Sequence, residues 1–442
     1  MLAALLILPL VPHPAQARSF IRDAEVEHTL RTMTAPILEA AELNPDDVRL
    51  FIVNDDSINA YVAGGLNIFI HTGLILNSQN PHMLMGVVAH ETGHIAGAHL
   101  ALLSGASEQA SVGALLSMVL GAAAAIGGSG DAAAAIMTGG QSAAMRNLLS
   151  HYRGNEQQAD QAGIRFMRAA GLSPKGMLDM FEVLRRNEQQ HGGNQDPYLR
   201  THPLTKERIA VLRSAVMGAE TTGELPESTQ VAYARTIAKL YAFLEPPEKT
   251  FARYPKDATD EPSLLAHAVA YFRTPDLPKA LASVDRLIAK NPKDAFAYDL
   301  KGQILFEHGK IQDAITAYTK AEELEPKNAL ILSDLGRSHL ALNSPQAYEK
   351  AAQLLQEATA IDPTHSASFH HLGEAYGKKG EMGKSYLAFA QESLLINNPK
   401  DALQYAKLAK DQLKSDSMQT LTADDIIADA QRLLKEQKKA TP

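Results

Sequence analysis

The stretch Val87-Val88-Ala89-His90-Glu91-Thr92-Gly93-His94 decides the fold around it. It contains the pattern His-Glu-x-x-His, and two histidines four positions apart lie on the same face of a helix. Both imidazoles can then reach one metal ion, with Glu91 beside them to take a proton from a water molecule. Asn80 and Pro81 suit the N-cap and the first position of this helix. The sequence therefore predicts a metal-binding helix that begins at Pro81.

The composition is that of a globular protein. The chain has 442 residues, of which 45% are hydrophobic and 21% charged, enough for two or three domains. Its net charge of −8 provides no basic surface for nucleic acid. There are no cysteines, which excludes disulfides and thiolate ligands. Any zinc must therefore be held by His, Glu or Asp side chains.

The N-terminal residues indicate export. Residues 2–11 form an apolar run of signal-peptide length, and Ala15-Gln16-Ala17 follows as a cleavage site. A buried helix is the alternative, and Pro9, Pro12 and Pro14 argue against it. The usual basic region is missing, which indicates a true start further upstream. We expect residues 1–17 to be a signal peptide and the mature protein to be exported.

The next 200 residues contain patterns typical of short strands and amphipathic helices. Residues 48–53 read as a strand, and 59–70 read as a hairpin with a Gly64-Gly65 turn. Such a strand can pair with an extended peptide or can serve as an ordinary core hairpin. Helical patterns follow one another on either side of the hairpin, at residues 19–45, 145–171, 177–188 and through Leu212. We predict that residues 18–216 form one domain, which contains the His-Glu-x-x-His helix, and that residues 217–229 form a linker.

The segment between residues 101 and 145 lacks Lys and Arg, and 109–130 is uncharged. Three interpretations remain open. The segment is a packed helix followed by a mobile Ala/Gly-rich lid, a surface that contacts a membrane or an apolar partner, or a transmembrane helix. The apolar centre at 112–120 is short for a span, which favours the lid.

From residue 230 to 440 the chain repeats. Pro292 and Pro326 are 34 residues apart, the tetratricopeptide period, and Pro363 follows 37 residues later. Signature positions are filled in three units, by Leu264, Tyr271 and Ala280, by Tyr298, Gly302, Leu305, Ala314, Tyr318 and Ala321, and by Phe369, Leu372, Gly373, Tyr376 and Phe389. The unit around Gly336 needs three extra residues, which we place in its internal turn at 343–345. The period favours an α-solenoid with a protein-binding concave face over an unrelated helical bundle.

A catalytic zinc needs a third protein ligand beside His90 and His94. His99 comes one residue too early for the metzincin spacing, so we expect a helix-end histidine there. Glu108 is fourteen residues past His94, roughly 21 Å along a continuous helix, and is out of reach. Glu156 is the favoured candidate. Asp160 lies four residues on, so one carboxylate can bind the ion while the other accepts a hydrogen bond from the free N–H of a ligand histidine and fixes its tautomer.

Three motifs together resemble the zinc peptidase family of HtpX and the CAAX prenyl protease. They are His90-Glu91-x-x-His94, Arg153-x-x-Glu156-x-x-Ala159-Asp160 and Thr201-His202-Pro203-x-x-x-x-Arg208. The resemblance implies one Zn²⁺ per chain with ligands His90, His94 and Glu156, the base Glu91, and Asp160 in support. It also implies a mainly α fold, with a gluzincin-like helical metallopeptidase domain and a small β-sheet, followed by the α-solenoid of tetratricopeptide repeats.

His202 has three interpretations. It can donate a hydrogen bond to the oxyanion, occupy the open zinc position and hold the peptidase off, or form a structural His-Pro turn. Arg208, six residues on, either anchors that loop or covers the surface.

The resulting hypothesis is an exported zinc metalloendopeptidase whose repeats recruit protein substrates. Among the family, the chain resembles the exported branch that has a tetratricopeptide tail and lacks membrane-spanning helices. This resemblance implies a periplasmic location, with outer-membrane β-barrel proteins and their assembly machinery as partners. Peripheral membrane contact through 109–130 is a further candidate interaction. The alternative is a chaperone or assembly factor with little or tightly repressed proteolysis. The intact Glu91 favours the enzyme.

Overall fold

The computed structural model describes residues 19–99, 142–190, 198, 202–217, 223–413 and 418–440. The predicted signal peptide at 1–17, Glu108 and the uncharged segment at 109–130 lie outside these residues. The chain divides into two compact units. The first contains the residues up to Arg22 and Leu30–Pro226, and the second contains Asp23–Thr29 and the residues from Glu227 onward. The division after Pro226 falls within the predicted linker at 217–229.

Four strands form the small sheet of the described residues. They are β1 (Phe20–Ile21), β2 (Arg49–Val53), β3 (Ala60–Ala63) and β4 (Asn67–His71), in the order β1-β2-β4-β3. β4 runs parallel to β2 and antiparallel to β3. Gly64 and Gly65 both have positive φ, which a tight turn between β3 and β4 requires. The predicted strand at 48–53 and the hairpin at 59–70 are confirmed.

Six helices precede Pro226 in the described residues. They are α1 (Ala24–Ala40), α2 (Thr72–Asn77), α3 (Pro81–Ala96), α4 (Ser142–Ala169), α5 (Lys175–Gln190) and α6 (Lys206–Met217). The prediction of one helix over 19–45 was too long at both ends. Phe20 pairs with Val53 in the sheet instead, and its ring lies against Phe51. The short α2 between the hairpin and α3 was not predicted.

The motif helix α3 begins as predicted. The Asn80 side chain accepts a hydrogen bond from the Met83 backbone N–H, and Pro81 occupies the first turn. Every residue from Met83 to Gly93 is buried, so α3 is a central helix with neighbours on all sides.

The helices α3 and α4 approach closely at two glycines. A Cβ atom on Gly93 would lie 2.6 Å from the carbonyl oxygen of Ala159, and one on Gly163 would lie 3.1 Å from that of Ala89. Glycine permits this approach because it has no side chain. The close approach brings side chains of α4 up to the His-Glu-x-x-His face of α3.

The second unit is helical throughout its described residues. Its helices after Pro226 are α7 (Glu227–Leu244), α8 (Pro247–Arg253), α9 (Glu261–Arg273), α10 (Leu277–Lys290), α11 (Ala295–Glu307), α12 (Ile311–Leu324), α13 (Ala329–Leu340), α14 (Pro345–Ile361), α15 (Ser366–Lys378), α16 (Met382–Leu395), α17 (Pro399–Gln412) and α18 (Met418–Ala440). Successive pairs from α9 onward pack as antiparallel hairpins, as the 34-residue period predicts.

Three of the repeats place a glycine against a large side chain of the partner helix. Gly302 faces Tyr318, Gly336 faces Leu355 and Gly373 faces Phe389. The extra residues of the middle unit are therefore real, since Leu355 lies further along its helix than the other two partners. Their predicted position was wrong. The turn before α14 stays short, and α14 itself lengthens to 17 residues, against 14 in α12 and in α16.

No described helix combines the length and the apolar character that crossing a bilayer requires.

Candidate metal centre

α3 and α4 bring two histidines and one carboxylate together in the first unit. Nε2 of His94 lies 3.2 Å from Nε2 of His90 and 3.3 Å from Oε1 of Glu156. Nε2 of His90 lies 3.5 Å from Oε2 of Glu156. The helical spacing explains the first pair, and the glycine-mediated crossing of α3 and α4 explains the approach of Glu156.

His202 completes this group from the loop before α6. Its Nδ1 lies 3.1 Å from Oε2 of Glu156 and 3.4 Å from Nε2 of His90. One ligand atom from each of His90, His94, Glu156 and His202 lies within 4.8 Å of the others. Nitrogen and carboxylate donors in a group of four are the donor set of a zinc site.

Glu91 lies beside this group without a hydrogen-bond partner among the described residues. The side chain is 1% exposed, and neither carboxylate oxygen takes part in a hydrogen bond. Its nearest ionisable neighbour is Nε2 of His202, 3.6 Å from Oε1. Burial raises the pKa of Glu91, although the His202 and His90 charges oppose that change. A buried carboxylate with no hydrogen bond fits a group that exchanges a proton with a water molecule.

Asp160 and Arg208 contact the ligand side chains and support them. Oδ1 of Asp160 lies 2.9 Å from Nδ1 of His90, which leaves Nε2 of that ring facing Glu156. Arg208 donates to both oxygens of Asp160, at 2.6 and 2.9 Å. It also donates to the Pro203 carbonyl and lies 3.0 Å from Glu156. Arg208 is buried, so it anchors the His202 loop, and the interpretation as a surface cover is wrong.

The charges of the site favour a cation. Glu91, Glu156 and Asp160 are three buried carboxyl groups, with Arg208 as the buried guanidinium among them. Burial raises the pKa of Glu156, but the His202 and Arg208 charges outweigh it and hold that pKa well below its ordinary value. The pKa of Asp160 is also lowered, since Arg208 outweighs burial. Glu156 and Asp160 are therefore ionised, and Glu156 offers carboxylate oxygens to a cation beside the Arg208 guanidinium.

The two histidines of the motif differ in proton affinity. Burial lowers the pKa of His90, yet hydrogen bonds with Asp160 and Glu156 raise it to about 9. Burial lowers the pKa of His94 to about 4, against the opposing influence of Glu156. A bound cation would favour the neutral form of both rings, because a metal ligand must offer a lone pair.

Two nearby residues were missed as site residues by the sequence argument. Nδ1 of His99 lies 2.9 Å from Nδ1 of His94, because Ala98 adopts a positive φ and turns the chain back after α3. The buried ring of Tyr198 lies 4.6 Å from that of His202, and its carbonyl accepts the His202 backbone N–H. The sequence signal for His99 was its place just past the helix end. We find no comparable signal for Tyr198.

A cavity of about 590 Å³ opens beside these ligands. Glu156 and Arg208 line it together with Arg153, Gln157 and the segment Pro203–Glu207. Of the four-residue group, Glu156 is the member that lines this cavity.

Segments in both halves of the chain match known protein families. Residues 22–216 match the model of peptidase family M48, and residues 302–343 match a tetratricopeptide repeat model. A β-barrel assembly-enhancing protease of Escherichia coli is 26% identical over 432 residues, which cover 95% of this chain and 85% of the relative. One of Yersinia pestis is 23% identical, over 87% and 79% of the two chains. The mitochondrial metalloendopeptidase OMA1 of Schizosaccharomyces pombe is 28% identical over 44% of this chain and 53% of its own length.

Proposed function

Because residues 22–216 are a peptidase family M48 domain followed by tetratricopeptide repeats, we propose that the protein is an exported zinc endopeptidase of outer-membrane protein quality control. The observation that carries the proposal is the convergence of His90, His94 and Glu156 beside the buried Glu91 carboxylate, which has no hydrogen-bond partner among the described residues. This arrangement provides a cation site with a proton acceptor next to it.

His90, His94 and Glu156 would hold one zinc ion per chain. A bound zinc ion would polarise the scissile carbonyl and lower the pKa of water. Glu91 accepts the proton of the attacking water and then delivers it to the leaving amine. Asp160 keeps Nδ1 of His90 protonated, and Arg208 keeps Asp160 ionised and in place.

His202 acts in this proposal as a fourth ligand that represses turnover. The distance of 3.1 Å between its Nδ1 and Glu156 supports this role over that of an oxyanion donor. A site with four protein ligands has no open position for water, which is the arrangement of structural zinc sites. The same observation favours the second candidate function, an assembly factor with tightly repressed proteolysis. The two functions coexist if movement of the His202 loop releases the site.

The names of the relatives support the proposed substrates and location. Three of the relatives that this chain matches along most of its length are named β-barrel assembly-enhancing proteases. The export pattern at residues 1–17 supports the periplasm of a Gram-negative cell. The repeats would recruit outer-membrane β-barrel proteins or their assembly machinery.

The test uses full-length mature protein loaded with zinc and an unfolded outer-membrane β-barrel protein diluted from urea. Glu91→Gln should retain the metal in elemental analysis and lose cleavage by a factor of about 10²–10⁴. Glu156→Gln should lose the tightly bound zinc of the candidate metal centre. Glu39→Gln, an exposed change on α1, is the matched control and should behave as the wild type. Since His202 would keep the basal rate low, each variant is also measured with His202→Ala. Undiminished cleavage by Glu91→Gln in that background would contradict the assigned role.

A further inference from the structure

Another group of metal-binding side chains lies in the repeats, on α15. The sequence His370-His371-x-x-Glu374 places both imidazoles within one turn of the carboxylate. His370 and Glu374 are about half exposed, while His371 is 21% exposed. A metal ion from solvent can therefore reach all three side chains. We call these residues, with Glu392 of α16, the α15 cluster.

The three side chains of α15 converge on a small volume. Oε1 of Glu374 lies 3.8 Å from Nε2 of His370, and Oε2 lies 3.3 Å from Nδ1 of His371. One ligand atom of each residue lies within 4.8 Å of the others. Two imidazoles and one carboxylate are the protein ligands of many zinc sites that keep a position open.

Glu392 on α16 orients the ring of His370. Both of its oxygens lie 3.1 Å from Nδ1 of His370, so the protonated Nδ1 donates to this carboxylate. The lone pair of His370 is then on Nε2, the atom that faces Glu374. Asp160 and His90 form the same arrangement in the candidate metal centre. A carboxylate that orients a histidine from behind is a recurrent feature of metal sites.

We propose that His370, His371 and Glu374 form a second zinc site, oriented by Glu392. The ion has three protein donors, and its remaining position is open to water or to a carboxylate or imidazole of a bound polypeptide. It binds more weakly than at the buried four-residue group, because it has fewer donors and is exposed to solvent. Every residue that carries this proposal lies on α15 or α16, so it is independent of the peptidase assignment.

The test titrates full-length protein with Zn²⁺ by isothermal titration calorimetry at neutral pH. The wild type should take up a second, weaker equivalent after the first. His370→Gln and His371→Gln should each lose the second equivalent and keep the first, with unchanged circular dichroism. Glu392→Gln should weaken the second equivalent by about tenfold, because it removes only the orienting carboxylate. His339→Gln on α13 changes a partly buried histidine outside the cluster and is the matched control.

Two further measurements separate this site from the peptidase centre. Glu156→Gln should retain the weak equivalent, and the double variant with His370→Gln should bind no zinc. Hydrogen exchange should show zinc-dependent protection of α15 and α16 in the wild type but not in His370→Gln. A single equivalent in the wild type, or a second equivalent that survives in both histidine variants, would show that the α15 cluster is a solvated ion-pair network and overturn the proposal.

Discussion

Nδ1 of His99 lies 2.9 Å from Nδ1 of His94, on the side of that ring away from Glu156. If Nε2 of His94 binds a metal, its Nδ1 carries the proton and donates a hydrogen bond to Nδ1 of His99. His99 then fixes the orientation of His94 as Asp160 fixes that of His90. The two ligand histidines are thus supported by different chemical groups, a carboxylate for one and an imidazole for the other.

Replacing His99 by alanine should weaken zinc binding by about 10- to 100-fold, because His94 loses the group that orients it. Competition with a chromophoric chelator measures the change. His99→Gln should recover part of the zinc affinity, since its amide oxygen can accept the same hydrogen bond from Nδ1 of His94.

Gly97→Ala provides an independent check on His99. A Cβ atom at Gly97 would collide with the His99 ring, which must move away from His94. This variant should therefore also bind zinc more weakly, although both imidazoles are present. Wild-type affinity in both His99→Ala and Gly97→Ala would rule out an orienting role.

The close crossing of α3 and α4 predicts that two glycine variants lose stability and zinc affinity to different extents. Gly93→Ala places a Cβ 2.6 Å from the Ala159 carbonyl oxygen, so the helices must separate and carry Glu156 away from His94. It should destabilise the domain by about 1–3 kcal/mol and lower zinc affinity. Gly163→Ala has 3.1 Å of clearance and should cost less. Urea unfolding and chelator competition measure both effects. Equal behaviour of the two variants would contradict this account of the crossing.

Features of the fold that depend on neighbouring residues were predictable from the sequence. The Asn80 cap, the Pro81 start and the Gly64-Gly65 turn each act over a few residues, and the structure contains all three. The strand at Phe20 was not predictable, because it depends on pairing with β2, some 30 residues away. The lengthening of α14 was misplaced for a related reason. Sequence spacing gives the number of extra residues but not whether a turn or a helix absorbs them.

The candidate site shows the same division. The spacing of His90 and His94 is local, whereas the approach of Glu156 depends on a helix crossing. The contact of Asp160 with Arg208 joins two helices, and its double hydrogen bond could not be derived from spacing. His99 was judged only as a ligand, because the backward turn at Ala98 has no clear sequence signature.

For His202, the direction in which its replacement changes the cleavage rate distinguishes the fourth-ligand role from the oxyanion role. As a fourth ligand that represses turnover, its replacement by alanine should raise cleavage of an unfolded β-barrel protein while the protein keeps its zinc. Tyr198→Phe is the matched control, because it retains the ring packed on His202. A fall in kcat with unchanged zinc content would instead assign His202 to the oxyanion.

Glu25 predicts a pH-dependent stability of the second unit. Its Oε1 accepts a hydrogen bond of 2.6 Å from Nε of Arg235, and its Oε2 lies 3.3 Å from Nζ of Lys239. Burial raises the pKa of Glu25, but Arg235 and Lys239 outweigh it, so the net change is a lowering from 4.5. A carboxyl group with a lowered pKa in the folded state adds stability above its unfolded value. That stability is lost as the pH falls through the folded value.

Glu25→Gln should therefore destabilise the protein by about 3–5 kcal/mol at neutral pH, since it leaves buried cations with one partner fewer. The difference from the wild type should shrink below about pH 4.5, the region where Glu25 of the unfolded chain becomes protonated. Glu261→Gln is the control, because it also faces Arg235 but is 31% exposed, and should cost less than about 1 kcal/mol. Urea unfolding at several pH values measures all three proteins. A difference between Glu25→Gln and the wild type that stays constant from neutral to acidic pH would show that the Glu25 charge does not stabilise this unit.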